Sequence, residues 1–277
     1  MSERINKVQL IYFSPTGGTK KIASKLAASL ADKLGVPIEN LNLTLPEARK
    51  EEYSFGPEEL VILATPVYAG RIPNKIEPDL RKLLSFSGSL AVALSVFGNR
   101  SYGTAPEELT DILKCRGARV IAAGAFVSRH VFSDTLAKKR PDRDDRAQLE
   151  FFAEKIAEKV LAAECDGGAG ETGEINMGEI GPYYRPLKED GTPAQFLKDK
   201  PVTDVDKCYF CKFCVKSCPM GAIDPDCVTV SGACIKCHAC VRCGPEKAKH
   251  FESEDLASHI RMLESNFTER AENLLVY

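Results

Sequence analysis

Nine of the 11 cysteines in this 277-residue sequence fall between Cys208 and Cys243. Cys208-x2-Cys211-x2-Cys214-x3-Cys218 is followed at once by Pro219. Four thiolates at these intervals can wrap a cubic four-iron cluster, a 4Fe-4S centre. The short gaps turn backbone amides toward the cluster sulfurs, and such hydrogen bonds tune its potential. A second run, Cys234-x2-Cys237-x2-Cys240, calls for a second cluster. Its expected fourth position, just before Pro245, is Gly244, and Cys243 stands one residue early. Cys243 is expected to ligate all the same, with Gly244 letting the backbone adjust. Cys227 is a spare thiol that could substitute, but its offset fits neither run; read plainly, it is a small buried residue. Zinc sites also use Cys-x2-Cys pairs, yet they do not call for two triplets and a Cys-Pro. A disulfide framework would spread through a small secreted domain, whereas the first 200 residues hold only Cys115 and Cys165. Both are isolated thiols with no evident role. His238, inside the second run, is expected to cover a cluster rather than ligate it.

A second set of residues suits a phosphorylated, flat ligand. Ser14-Pro15-Thr16-Gly17-Gly18-Thr19 follows a strand-like run and opens a helical one. Hydroxyls and free amides at a helix N-terminus bind phosphate, helped by the helix dipole. The loop has neither the Gly-Lys-Ser/Thr ending of a nucleotide P-loop nor a Gly-x-Gly-x-x-Gly fingerprint. Two further loops stand after strand-like runs: Thr65-Pro66-Val67-Tyr68-Ala69-Gly70-Arg71-Ile72-Pro73 and Gly98-Asn99-Arg100-Ser101-Tyr102-Gly103. Tyr68 and Tyr102 offer flat faces to an aromatic ring system. Amides near Gly70 and Gly98 offer donors to its heteroatoms.

The elements that must position these loops alternate. Val8 to Phe13 is a short apolar run suited to a strand buried on both faces. Thr19 to Leu34 is helical, with Ile22, Leu26, Leu30 and Leu34 recurring every four residues. Further strands are expected at 38–43, 60–64, 90–97 and 119–126, and helices near 76–84, 106–114 and 144–163. Five strands with crossover helices imply a doubly wound parallel sheet, an α/β fold, over residues 1–163. Its loops gather at the carboxyl ends of the strands. Residues 164–201 read as a linker: a glycine-rich break at Asp166–Gly173, then proline-punctuated extended chain lying over the first domain. Residues 202–252 form the cysteine domain, a small α+β unit. Residues 253–277 read as an amphipathic helix with Leu256, Ile260, Leu263 and Phe267 on one face.

Hydrophobic residues make up 44% and the formal net charge is −2, so composition gives no sign of a nucleic-acid partner. The start of the sequence is polar and the longest apolar runs are too short to span a bilayer. No membrane association is expected, and the dense thiols suit a reducing, cytoplasmic setting.

Taken together these residues resemble the flavodoxin family, joined to a segment that resembles bacterial two-cluster ferredoxins. The whole is similar to fused flavodoxin–ferredoxin proteins common in anaerobic microbes. The resemblance extends over nearly the whole chain. It rests on Phe13 to Thr19, Pro66 to Arg71, Gly98 to Arg100, Arg140-Pro141-Asp142, the cysteine runs and the closing Asn266 to Asn273. It implies FMN, with its phosphate on Ser14, Thr16, Gly17, Gly18 and Thr19. Its ring would lie among Pro66, Val67, Tyr68, Ala69, Gly70, Arg71, Phe97, Gly98, Asn99, Arg100 and Tyr102. In two-cluster proteins the fourth cysteine of each run serves the other cluster. Cys208, Cys211 and Cys214 would then share a cluster with Cys243, and Cys234, Cys237 and Cys240 one with Cys218. The loop Ser128 to Arg143, rich in basic residues, stands where a lid or docking surface would border the flavin. Its His130 is a candidate proton donor. Clusters carry single electrons and FMN carries one or two. The expected function is electron transfer between clusters, FMN and a redox partner protein or small electron acceptor. The alternative is an FMN-dependent reductase acting on a small organic substrate.

Overall fold

Leu10 and Tyr12 pack in one buried cluster while Ile11 and Phe13 pack in another. This period-two split is what a strand buried on both faces requires. The computed structural model describes residues 4–165 and 173–277. In chain order its elements are β1 (Lys7–Tyr12), α1 (Gly18–Leu34), β2 (Ile38–Asn42), β3 (Tyr53–Phe55), β4 (Glu59–Pro66), α2 (Glu77–Leu83), β5 (Leu84–Phe86), β6 (Leu90–Phe97), α3 (Ala105–Cys115), β7 (Arg119–Val127) and α4 (Arg143–Cys165). Then follow β8 (Val202–Thr203), α5 (Phe213–Ser217), α6 (Ala239–Cys243), β9 (Lys249–His250), α7 (Glu254–Asn266) and β10 (Leu274–Val276).

The main sheet has the order β10-β7-β6-β4-β1-β2. Its five expected strands are all parallel. Helices α1 and α4 cover one face through Leu26, Leu30, Phe152 and Ile156, and α2 and α3 cover the other through Leu80, Leu109 and Ile112. The chain passes from β1 to β2 on one side and then crosses to β4 on the other. The switch point, where such sheets bind ligands, therefore lies between the carboxyl ends of β1 and β4.

The chain's last residues correct the expectation of a purely parallel five-stranded sheet. The stretch 253–277 is not one helix. α7 ends at Asn266, and the chain returns to add β10 antiparallel to β7. That strand covers an edge that would otherwise expose unpaired backbone. The closing motif also meets Arg140-Pro141-Asp142: Arg270 pairs with Asp142, and Asn273 donates to Asp145. Asp145 is buried and is held as a carboxylate by Arg140.

Most of the glycine-rich break, residues 166–172, lies outside the described residues. The chain after it is pinned to the first domain, as expected for extended chain. Ile175 donates to Val120 and Gly181 to Thr104, and Tyr184 donates to the Ala69 carbonyl at 2.8 Å. Among the described residues no helix is long and apolar enough to cross a membrane.

Candidate functional site

The loop from β1 into α1 leaves donors uncommitted. Gly17, at the cap position, is in the left-handed region at φ 84° and has no side chain to cap the helix. The Ser14 hydroxyl accepts from the Lys20 amide at 3.0 Å, and Lys21 donates to Gly17. The leading amides at Gly18 and Thr19 have no partner within the helix. The first turn carries no acidic residue, so nothing opposes an anion there. Ser14 itself is fixed by its amide, which donates to Thr44 Oγ1. Thr44 was not legible as part of this loop.

Across the switch point, Tyr68 and Arg71 exchange backbone hydrogen bonds around Ala69 (φ 52°) and Gly70 (φ 79°). A non-glycine residue in the left-handed region costs roughly 1–2 kcal/mol. The cost is sustained because Thr104 donates to the Gly70 carbonyl and Tyr184 to that of Ala69. The Ala69 and Gly70 amides donate to no described group and remain available to a ligand. The Arg71 side chain, expected at the cofactor, is committed elsewhere. It forms a two-pronged pair with buried Glu108 and donates to the Gly181 carbonyl.

The third loop brings a second correction. The Asn99 side chain donates to the carbonyls of Phe267 and Glu269, both at 2.7 Å, and accepts from Ala271. It anchors the returning C-terminal tail, so its side chain is committed there rather than to a ligand. Arg100 lies 3.8 Å over the Tyr184 ring and beside Gly70. Among the described residues it has no carboxylate partner, and burial lowers its pKa. Phe97 packs edge-on against Tyr102. A side chain at Gly98 would collide with the His130 ring. His130 accepts from the Phe132 amide through Nδ1, and burial pulls its pKa down to about 3. It is a neutral imidazole near pH 7 that holds its remaining proton tightly. This disfavours the proton-donor role.

The cysteine domain docks over these loops. Arg49, in a turn after β2, donates to the Pro219 carbonyl as well as to those of Leu43 and Thr44. Arg242 donates to the carbonyls of Val131 and Ser133. His238 packs between the rings of Phe132 and Phe251, 4.6 and 4.9 Å away. The Ser128–Arg143 loop is thus a docking surface for the chain's own second domain. Tyr68 lies where the two domains meet. Burial, together with neighbouring Cys237 and Cys234, holds its hydroxyl pKa well above the ordinary value.

The thiols line two cavities in the cysteine domain. Cys218, Cys234, Cys237 and Cys240 line the first; Cys208, Cys211, Cys214 and Cys227 line the second, where Cys240 also reaches. Among the described residues no three His, Cys, Asp or Glu side chains close on a single-ion position. Burial pushes the Cys214 thiol up to about 11 and that of Cys237 to about 12. Such thiols give up their protons when metal takes the charge. Amide donors already point at sulfur: Ala222 donates to Cys218 and Lys236 to Cys234. The donor set therefore suits iron–sulfur ligation. Cys243 departs from its expected place. Its sulfur accepts from the Ser217 hydroxyl at 3.2 Å and faces the Cys240 carbonyl, because one residue along a helix turns a side chain by about 100°.

Comparison with known proteins agrees with this geometry. The flavodoxin family pattern matches residues 10–145, and that of the 4Fe-4S binding domain matches residues 201–224. The chain carries a flavodoxin domain followed by a 4Fe-4S binding segment, which makes it an electron-transfer flavo-iron–sulfur protein in the general sense. A flavodoxin domain implies FMN, and the second segment implies iron–sulfur ligation.

Similar solved structures include a flavodoxin from the domain Archaea, 18% identical, covering 56% of this chain and 99% of that one at a TM-score of 0.40. Another is the rubredoxin oxygen:oxidoreductase of the anaerobe Desulfovibrio gigas, 20% identical at a TM-score of 0.39. It covers 58% of this chain, which spans only 37% of that protein. The Megasphaera elsdenii flavodoxin is 16% identical, covering 53% of this chain and 98% of that one, with a TM-score of 0.34. No curated protein matches the chain.

Proposed function

We propose that the chain relays electrons between two 4Fe-4S clusters and FMN, and exchanges them with a redox partner protein. The observation that supports it is the docking of the cysteine domain on the flavodoxin loops, where Met220 and Ile235 pack against the same hydrophobic cluster as Val67 and Arg49 donates to the Pro219 carbonyl. Four-iron clusters supply single-electron steps and FMN supplies one or two. The amides of Gly18 and Thr19 and the hydroxyls of Ser14, Thr16 and Thr19 hold the phosphate. The amides of Ala69 and Gly70 face the ring heteroatoms, and Arg100 supplies positive charge beside them. Cys218, Cys234, Cys237 and Cys240 hold the inner cluster. Cys208, Cys211 and Cys214 hold the outer one.

Tyr209, Phe210 and Phe213, 57%, 54% and 52% exposed, alternate along the chain with Cys208, Cys211 and Cys214. An exposed apolar rim of this kind suits a transient partner. The alternative of a reductase with its own small substrate is less well supported, because the loop expected to roof its pocket holds the cysteine domain instead.

The test is made on anaerobically purified protein. FMN, iron and acid-labile sulfide are assayed per chain, and flavin reduction is followed by stopped flow with a one-electron donor. About eight irons and one FMN, with flavin reduction passing through the clusters, support the proposal. Absent sulfide or absent flavin overturns it.

A further inference from the structure

The two halves of the cysteine domain repeat one backbone pattern, and that repeat identifies a ligand that the spacing rule misses. Ser217 and Cys243 are 26 residues apart, and the same interval relates a series of unusual conformations. Phe210 and Lys236 have φ 57° and 55°, Lys212 and His238 have φ 61° and 57°, and Gly221 and Lys247 have φ 58° and 51°. The caps that end α5 and α6 also match: Cys218 at φ −70°, ψ 113° and Gly244 at φ −76°, ψ 128°. Gly221 donates to the Cys218 carbonyl as Lys247 donates to that of Gly244.

Gly244 is therefore the counterpart of the ligand Cys218, and it has no side chain. A Cβ built there meets nothing within 4 Å. Cys243 is the counterpart of Ser217, and the two face each other between the helices. The repeat also pairs Cys227 with Pro201, and each lines the cavity of the other half's thiols: Pro201 that of Cys234, Cys237 and Cys240, and Cys227 that of Cys208, Cys211 and Cys214. Cys227 is 1% exposed and packs with Cys214 and Cys240. Its backbone is held in the left-handed region at φ 63°, with Thr203 donating to its carbonyl.

We infer that Cys227, and not Cys243, supplies the fourth thiolate to the cluster held by Cys208, Cys211 and Cys214, replacing the ligand missing at Gly244. The inference rests on the two-cluster reading above. Binding breaks the Cys227 S–H bond, releases the proton to solvent and forms one iron–sulfur bond.

The test compares wild type with Cys227→Ser, Cys243→Ser and Cys227→Ser/Gly244→Cys, each purified anaerobically. Iron and sulfide per chain are assayed, and the reduced proteins are examined by electron paramagnetic resonance. FMN content and circular dichroism report folding. Wild type and Cys243→Ser are expected to hold about eight irons. Cys227→Ser is expected to fall by between about one and four, with loss or conversion of one signal. The double variant, which places a thiol at the repeat-equivalent position, should recover it. Full iron in Cys227→Ser, or a loss confined to Cys243→Ser, overturns the assignment. A wild type without acid-labile sulfide overturns the two-cluster reading itself. If Cys227→Ser misfolds, a Cys243→Ser protein with full iron and unchanged signals still supports the assignment, and one short of iron refutes it.

Discussion

Glu108→Ala should loosen the Ala69–Gly70 turn, proposed above to face the flavin, while touching no proposed ligand. The Glu108 carboxylate accepts from Arg71 Nε at 2.7 Å, from Arg71 Nη2 at 2.5 Å and from the Ile72 amide at 3.0 Å. It is 1% exposed and Arg71 18%. Its removal leaves the guanidinium with the Gly181 carbonyl and the Tyr183 face alone, and it orphans a buried amide. Breaking a buried pair costs about 3–5 kcal/mol, and the partial exposure of Arg71 points to the lower end. At about 2–4 °C per kcal/mol for a domain of this size, melting should fall by roughly 6–12 °C. FMN affinity should fall with it, because the Ala69 and Gly70 amides lose their fixed direction. Melting of the full chain and FMN titration by fluorescence quenching measure both. A Glu108→Met/Arg71→Met double variant should recover much of the stability, since removing both partners leaves no lone charge. Melting within about 2 °C of wild type, below what 1 kcal/mol would give, together with unchanged FMN affinity, would refute the reasoning.

Three further outcomes follow from the same geometry. His130 has a folded pKa near 3, below its unfolded value of about 6.5. The unfolded chain therefore binds the extra proton first, and the contribution of His130 to stability is lost as pH falls from about 6.5 toward 3. His130→Gln should flatten the decline of melting temperature between pH 7.5 and 5, and an unchanged slope would count against it. Arg49→Met removes the hydrogen bonds to Leu43, Thr44 and Pro219. It should leave iron and FMN contents intact but slow stopped-flow reduction of the flavin through the clusters several-fold; an unchanged rate would show that this contact does not hold the domains together. Asn99→Ala should cost about 1–3 kcal/mol and raise hydrogen exchange across residues 267–276, and protection equal to wild type there would refute the anchoring role.

Much of the architecture was legible because it is written in periodicity. The four-residue stripe from Ile22 to Leu34 and the apolar runs at 60–64, 90–97 and 119–126 encode burial directly, and each forms its expected element. β10 escaped because three residues carry no period, and their partner lies across the whole cysteine domain. Arg71 and Asn99 stood in the right loops, but a loop sequence does not reveal where a long polar side chain turns. Glu108 sits inside α3, and Tyr184 in proline-rich chain; neither carries a local signal linking it to the Ala69–Gly70 turn. Counting cysteines led to Cys243. The repeat that demotes it lies in backbone angles, where glycine, lysine and histidine share one conformation without sharing a residue type.

The returning strand β10 makes the cysteine domain an insertion into the sheet rather than an appendage. Residues before it are pinned along the flavodoxin face, and residues after it are locked into the sheet at Leu274–Val276. A module tethered at one end sweeps a large volume and meets its neighbour only part of the time; one tethered at both ends is confined to a narrow range of orientations, which raises its effective concentration at the docking face. Under the proposed relay, internal electron exchange would resemble conduction within one body more than a diffusive search, and delivery to an outside partner would fall to the exposed rim at Tyr209, Phe210 and Phe213.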